Sequence, residues 1–210
     1  MEKLMEQLHQ AIWDHDAKKV KALVEQALAD KVDVAAIVNH GLVEGMNRIG
    51  AKFKSGEVFI PEVLISARAM AAGMAVIKPL LTQAGVKEKG TLLIGTVKDD
   101  LHDIGKNLVI MMFEGAGYKV VDLGINVPTE KFVQAIAEHN PDVVGLAALL
   151  TTTMVFMKEA TAAIKAKYPD LKVIVGGAPV TQKFAGEIGA DAYAADAAVA
   201  VEIANSFVPA

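Results

Sequence analysis

The sequence predicts an α/β chain in two parts: an antiparallel four-helix bundle over residues 1–85, then a five-stranded parallel sheet with flanking helices over 86–210. Three observations predict it. Up to about residue 85 the apolar residues recur at three- and four-residue steps, the period of an amphipathic helix. From Gly90 onward, short apolar runs alternate with helical stretches of about ten to fifteen residues. Between the two lies a polar segment, Thr82–Gly90, bearing Gly85, Lys87, Glu88 and Lys89, which reads as a linker.

Within the first part, Asp14 or Asp16 can cap a helix running to Asp30, and Asp33 can cap the next. Val34, Ile37, Val38, Leu42, Met46, Ile49 and Phe53 then form one stripe, stopped by Ser55-Gly56. Pro61 suits the first turn of a further helix, with Leu64, Ala67, Ala71, Met74, Ile77 and Leu81 on a common face. Short loops between such helices imply antiparallel neighbours.

In the second part the strand candidates are Thr91–Val97, Lys119–Leu123, Asp142–Leu149, Lys172–Val175 and Ala190–Ala194. Several are continuously apolar, as strands buried on both faces must be. Alternation with helices gives right-handed crossovers and a parallel sheet. Five such units favour the flavodoxin-like strand order 2-1-3-4-5.

Composition narrows the function. The chain has 210 residues, ample for a packed core, and 21 Lys+Arg against 25 Asp+Glu leave a net charge of -4. A mildly acidic chain with no basic stretch argues against nucleic-acid partners. The absence of cysteine excludes disulfide scaffolds, iron–sulfur clusters, thiolate zinc sites and thiol nucleophiles. The segment Met1–Glu6 has alternating charge and no apolar core of a secretory signal. The apolar stretch Val143–Met157 is interrupted by Thr151, Thr152 and Thr153 and falls short of the ~20 residues of a membrane helix. A cytoplasmic protein without a membrane partner is expected.

In a sheet of this order, ligands bind beyond the carboxyl ends of the strands, near the switch between strands 1 and 3. Three unusual segments fall there: Lys98–Gly105 after strand 1, Ala147–Thr153 after strand 3, and Gly176–Pro179 after strand 4. His102 is the one histidine of five at this rim. One ring nitrogen can face the crevice while Asp100 or Asp103 takes the other N–H, the arrangement that orients a metal-ligating imidazole. A loop histidine bonded to a capping Asp fits the same residues. No second histidine stands at metal-ligand spacing, so a single imidazole suits a metal already held by a macrocycle. Gly176-Gly177 either turns the chain or admits a bulky ligand. The threonines either start a helix or extend a hydrogen-bond relay from His102. His9, His15, His40 and His139 read as helix-surface or helix-end residues, and the methionines as core filling.

Taken together, the three segments resemble the cobalamin-binding signature DxHxxG…SxL…GG. Asp100, His102 and Gly105 fill its first part; forty-one residues separate Gly105 from Ala147, and twenty-six separate Leu149 from Gly176. The preceding helices look like the bundle that caps cobalamin in methionine synthase and in small methyl-carrying corrinoid proteins. The resemblance covers nearly the whole chain. It implies base-off cobalamin with its nucleotide tail in the α/β part and His102 as the lower axial ligand of cobalt. Asp100 then stands behind His102, and Thr153 completes the relay. Gly105, Leu149, Thr151, Gly176 and Gly177 surround the tail, and Phe53, Ile60 and Val63 match residues that cover the upper, methyl-bearing face. One departure stands out: the Ser of SxL is Ala147, which bears on the tail contact and on the identity of the lower base.

The function this implies is a methyl carrier of a multi-component system. A donor-specific methyltransferase loads the methyl group, and an acceptor methyltransferase passes it to tetrahydrofolate or a coenzyme thiol. A reductive activator completes the partners. The cofactor carries the chemistry and the protein supplies ligation, shielding and docking. A mutase subunit shares the signature but gives the upper face of cobalt to a radical-generating barrel. A cobalamin-based light sensor needs a DNA-binding domain, and no basic recognition helix is visible. A regulatory domain without cofactor leaves the spacing unexplained.

Overall fold

The computed structural model describes residues 2–84 and 88–208. The chain divides into two compact units, Met1–Glu88 with Gly115–Gly117, and Lys89–Glu114 with Tyr118–Ala210.

The first unit is helical. Helix α1 (Glu2–Trp13) turns through His15, at φ 60°, into α2 (Ala17–Ala29). Asp16 caps α2 by accepting the Lys19 N–H at 2.9 Å, and Asp30 ends it. Asp33 caps the next helix by accepting the Ala36 N–H at 3.0 Å. That helix, α3, spans residues 34–54: Val34–Ala36 and Glu44–Lys54 are α-helical, and Ile37–Val43 between them is π-helical. Here α1 lies close. A Cβ on Gly41 would stand 2.8 Å from Leu8 Cδ1, and one on Gly45 2.7 Å from Ile12 Cδ1. His9, which the sequence reading places on a helix surface, is buried and its Nε2 bonds the His40 carbonyl at 2.7 Å. Its helix turns that face to α3, which local sequence does not reveal.

Helix α4 (Ile60–Ala84) starts where the Glu62 carboxylate accepts the Phe59 N–H at 2.8 Å, and it contains Pro79. Its buried residues include Val63, Ser66, Ala67, Ala69, Met70, Gly73 and Ile77, so Ala67 and Ile77 of the predicted face are buried, whereas Met74 is half-buried. Ala71 is exposed and Leu64 half-buried; the Leu81 side chain lies outside the described residues. The helix is apolar almost all round, so period alone does not select its face. For the same reason Ile60–Ile77 is long and apolar enough to cross a membrane by length and composition. In the bundle its Ser66 hydroxyl donates to the Ile12 carbonyl at 3.1 Å and pairs with His15 Nδ1 at 2.9 Å. Of the linker expected at Thr82–Gly90, residues 85–87 lie outside the described residues.

The second unit holds an all-parallel sheet of order β2-β1-β3-β4-β5. Its elements are β1 (Thr91–Thr96), α5 (Ile104–Gly115), β2 (Lys119–Asp122), α6 (Thr129–His139), β3 (Val143–Ala147), α7 (Met154–Lys167), β4 (Lys172–Gly176), α8 (Gln182–Ile188), β5 (Ala192–Ala194) and α9 (Ala197–Phe207). Leu93, Val144, Leu146, Val173 and Val175 build a core with Phe132 and Ile136 of α6 and with Met157, Ala160 and Ile164 of α7. Gly95 lets α6 approach: a Cβ there would meet the Phe132 ring at 2.9 Å. The strand β3 is shorter than its apolar run. Asp142 instead accepts the Thr91 N–H at 2.7 Å, and the chain leaves the sheet after Ala147. Register aligns Thr96 with Ala147 and Ala147 with Gly176, so the three strand ends form one row.

Candidate functional site

That row carries the connections in which the sequence places its polar chemistry. Asp100 gathers two of them. Although it follows only four residues after β1, its side chain is fully buried. Oδ1 accepts the main-chain N–H of His102 at 3.1 Å and its ring Nδ1–H at 2.7 Å. Oδ2 accepts the Leu149 N–H at 2.7 Å, the Leu150 N–H at 3.3 Å and the Thr153 hydroxyl at 2.7 Å. The hydroxyl also lies 2.9 Å from the Leu150 carbonyl. It has one proton, and the ionised carboxylate is the stronger acceptor.

Burial alone would raise the pKa of Asp100, but the donors from Leu149, Thr153 and His102 outweigh it and hold the carboxyl well below the usual carboxylate range. An ionised carboxylate only accepts, so Nδ1 of His102 donates to it and carries a ring proton. The His102 side chain is 48% exposed, and Nε2 has no partner among the described residues. The result is an imidazole held from behind through Nδ1, offering its other nitrogen at the rim. The main-chain carbonyl of His102 is held separately by the buried Thr96 hydroxyl at 2.8 Å.

The glycines around it differ in kind. Gly177, at φ +126°, would bring a Cβ to 1.8 Å from the Ala148 carbonyl oxygen. The close approach expected there is to the chain's own β3 connection. A Cβ on Gly176 would stand 3.0 Å from the Ala194 carbonyl oxygen. Gly105, in the first turn of α5, has nothing within 4 Å of its Cβ direction. Thr151 is exposed, Leu149 is 42% exposed and Ala147 is half-buried. The same connections expose Leu101 (67%), Ile104 (76%) and Leu150, which the sequence reading did not single out. Their signal is the interleaving of large apolar residues with a polar motif outside any regular stripe. In the bundle, Phe53 is half-buried, Ile60 exposed and Val63 fully buried in the core; Phe59, also not anticipated, is 66% exposed beside Ile60.

No group of three or more His, Cys, Asp or Glu residues among those described is placed to hold a metal ion. An imidazole with a free Nε2, open space over Gly105 and uncovered leucine and isoleucine side chains suit a different ligand. A large, partly apolar group that carries its own metal would fit such a rim. Cobalamin has that chemistry.

Comparison with known proteins agrees. Two family models, each described as a B12 binding domain, match residues 90–202 and 4–78. A corrinoid protein of Desulfitobacterium hafniense is 43% identical over 98% of this chain and 97% of its own. The dimethylamine corrinoid protein 1 of Methanosarcina acetivorans is 39% identical over 99% and 98%. Among solved structures, the methanol:cobalamin methyltransferase complex of Methanosarcina barkeri contains a chain that superposes with a TM-score of 0.89. It is 30% identical, over 98% of this chain and 80% of that one.

Proposed function

The chain belongs to the B12-binding corrinoid proteins, and on that premise we propose that it is a methyl carrier holding a base-off corrinoid with His102 as the lower axial ligand. The observation that carries this reading is the Asp100–His102 pair, with Nε2 presented and unbonded. When bound, the corrinoid supplies a cobalt centre that takes a methyl group from one partner and yields it to another.

The protein's own residues prepare that centre. Asp100 fixes the ring orientation of His102 and keeps its proton on Nδ1, which raises the donor strength of Nε2. Thr153 and the Leu149 N–H hold Asp100 in place. Gly105, Ala147, Leu149, Thr151, Gly176 and Gly177 are assigned to the tail; the open space at Gly105 supports that residue's part, whereas Gly177 is also required by the chain's own Ala148 carbonyl. In the bundle, Phe53, Ile60 and Val63 are assigned to covering the methyl-bearing side, with Phe59 added for its exposure; Val63 must first be uncovered to take part.

The partners are a donor-specific methyltransferase, an acceptor methyltransferase and a reductive activator, in the cytoplasm. The relatives named for dimethylamine and methanol systems favour a small methylated amine or alcohol as donor. The test has two stages. Purified protein mixed with cobalamin develops a protein-bound, base-off spectrum. The loaded protein then accepts methyl groups only when a donor methyltransferase is present. Methyl transfer from free donor without a second protein contradicts the carrier role.

A further inference from the structure

His102 sits in a six-residue connection, 98–103, that has no helix or strand. Such a segment does not aim a side chain by itself; something must fix its backbone. Asp99 is the strained point, a non-glycine residue at φ 63°. Its N–H donates to Asn126 Oδ1 at 2.8 Å. The next carbonyl, that of Asp100, accepts the main-chain N–H of the same Asn126 at 3.0 Å. One residue therefore grips both peptide groups that flank the turn. Asn126 is itself left-handed, at φ 52°, a conformation Asn adopts more readily than most residues.

The connection that carries Asn126 is anchored in turn. The Thr96 N–H donates to the Gly124 carbonyl at 3.0 Å, and the Val127 N–H to the Thr96 carbonyl at 2.9 Å. Asn126 is thus joined to the end of β1 on one side and to the His102 connection on the other. The turn it stabilises directs the Asp100 side chain into the protein, where it meets His102, Leu149 and Thr153.

We propose that Asn126 is a positioning residue for His102, because its grip on Asp99 and Asp100 sets the backbone from which Asp100 reaches the imidazole. The cobalt readout below rests on the proposed function, whereas the readout without corrinoid does not.

Three variants separate the effects. Asn126→Gly keeps the left-handed backbone and the main-chain bond but removes the amide oxygen. Asn126→Ala also removes the conformational ease. Asn126→Asp keeps an acceptor and tolerance of the left-handed region, and serves as the conservative rescue. In protein without corrinoid, nitrogen NMR reads how firmly the His102 Nδ1 proton is held. Asn126→Gly exchanges it about fivefold faster, the ratio set by one net hydrogen bond of about 1 kcal/mol. Asn126→Ala exchanges it faster still, and Asn126→Asp restores the wild-type rate. Exchange at the wild-type rate in Asn126→Gly and Asn126→Ala overturns the proposal. With corrinoid bound as cobalt(II), the fraction showing axial nitrogen coupling follows the same order. If ring exchange follows that order but no protein, wild type included, shows axial nitrogen, then the positioning role stands and the ligand assignment fails.

Discussion

Asp100 holds His102 twice through one oxygen: Oδ1 accepts both the main-chain N–H at 3.1 Å and the ring Nδ1–H at 2.7 Å of the same residue. The two bonds fix the histidine's backbone and its ring together, so Nε2 points from a defined place. The other oxygen ties this arrangement to the β3 connection through Leu149, Leu150 and Thr153. Every lone-pair direction of the buried carboxylate is used, and the group stays ionised throughout the physiological range.

Asp100→Asn follows from that saturation. An amide turns one acceptor into a donor and sets it against the N–H groups that point at it, while the Thr153 hydroxyl can turn to the Leu150 carbonyl. The protein without corrinoid loses about 2–4 kcal/mol of stability, from charged hydrogen bonds broken and buried donors orphaned. Urea unfolding measures it, and stability equal to wild type contradicts the network.

Gly105 and Gly177 respond oppositely to the same added methyl. Gly177→Ala forces a Cβ against the Ala148 carbonyl and costs several kcal/mol in the free protein. Gly105→Ala meets open space in a helical turn, so free-protein stability is unchanged or gains up to about 1 kcal/mol. With the proposed tail occupying that space, corrinoid affinity falls in Gly105→Ala. Thermal unfolding and corrinoid titration of both variants check this. Unaltered affinity in Gly105→Ala removes that residue from the tail site.

Ala147→Ser restores the hydroxyl that the signature has at this strand end. For a corrinoid whose lower base can use it, affinity rises by about 0.5–1.5 kcal/mol, one net hydrogen bond. For a base to which Ala147 is adapted, affinity stays the same or falls. Titration with corrinoids of different lower base distinguishes the two, and identical affinities throughout show that Ala147 does not touch the tail.

Asp191 links the sheet to α7 away from the ligand rim. Burial would raise its pKa, but the Lys165 ammonium and the Val173 N–H, with Lys172 nearby, lower it. A folded pKa below the unfolded value of about 3.9 means the stabilisation is complete above that pH and is lost as pH falls through the folded pKa. Lys165→Met therefore costs about 1–3 kcal/mol at neutral pH, including the bond from Lys165 to the Leu171 carbonyl. The gap to wild type narrows below about pH 4. Urea unfolding across pH tests it; a gap that widens in acid contradicts the assignment.

The sheet was legible because strands buried on both faces are continuous apolar runs, and β1 and β4 fall within one residue of their predicted ends. Caps at Asp16 and Asp33 were equally legible, since a short acidic side chain before an apolar stripe has few other uses. The π-helical turn at Ile37–Val43 was not. The same apolar residues satisfy either helix there, and glycines facing Leu8 and Ile12 belong to packing between elements distant in sequence. The buried face of α4 was legible only in part because nearly all its faces are apolar. At the rim, the spacing of Asp100, His102 and Gly105 was visible, but the reach of Asp100 to residue 153 and the grip of Asn126 on residue 99 depend on loops brought together by strand order.

Axial coordination by His102 is the central claim, and one measurement addresses it directly: electron paramagnetic resonance of the corrinoid-loaded protein in the cobalt(II) state, produced with and without nitrogen-15 histidine. The wild-type signal carries splitting from one axial nitrogen, the pattern changes with the isotope, and His102→Ala, which still binds corrinoid through the tail, loses it. Splitting that ignores the histidine label, or persists unchanged in His102→Ala, contradicts the claim.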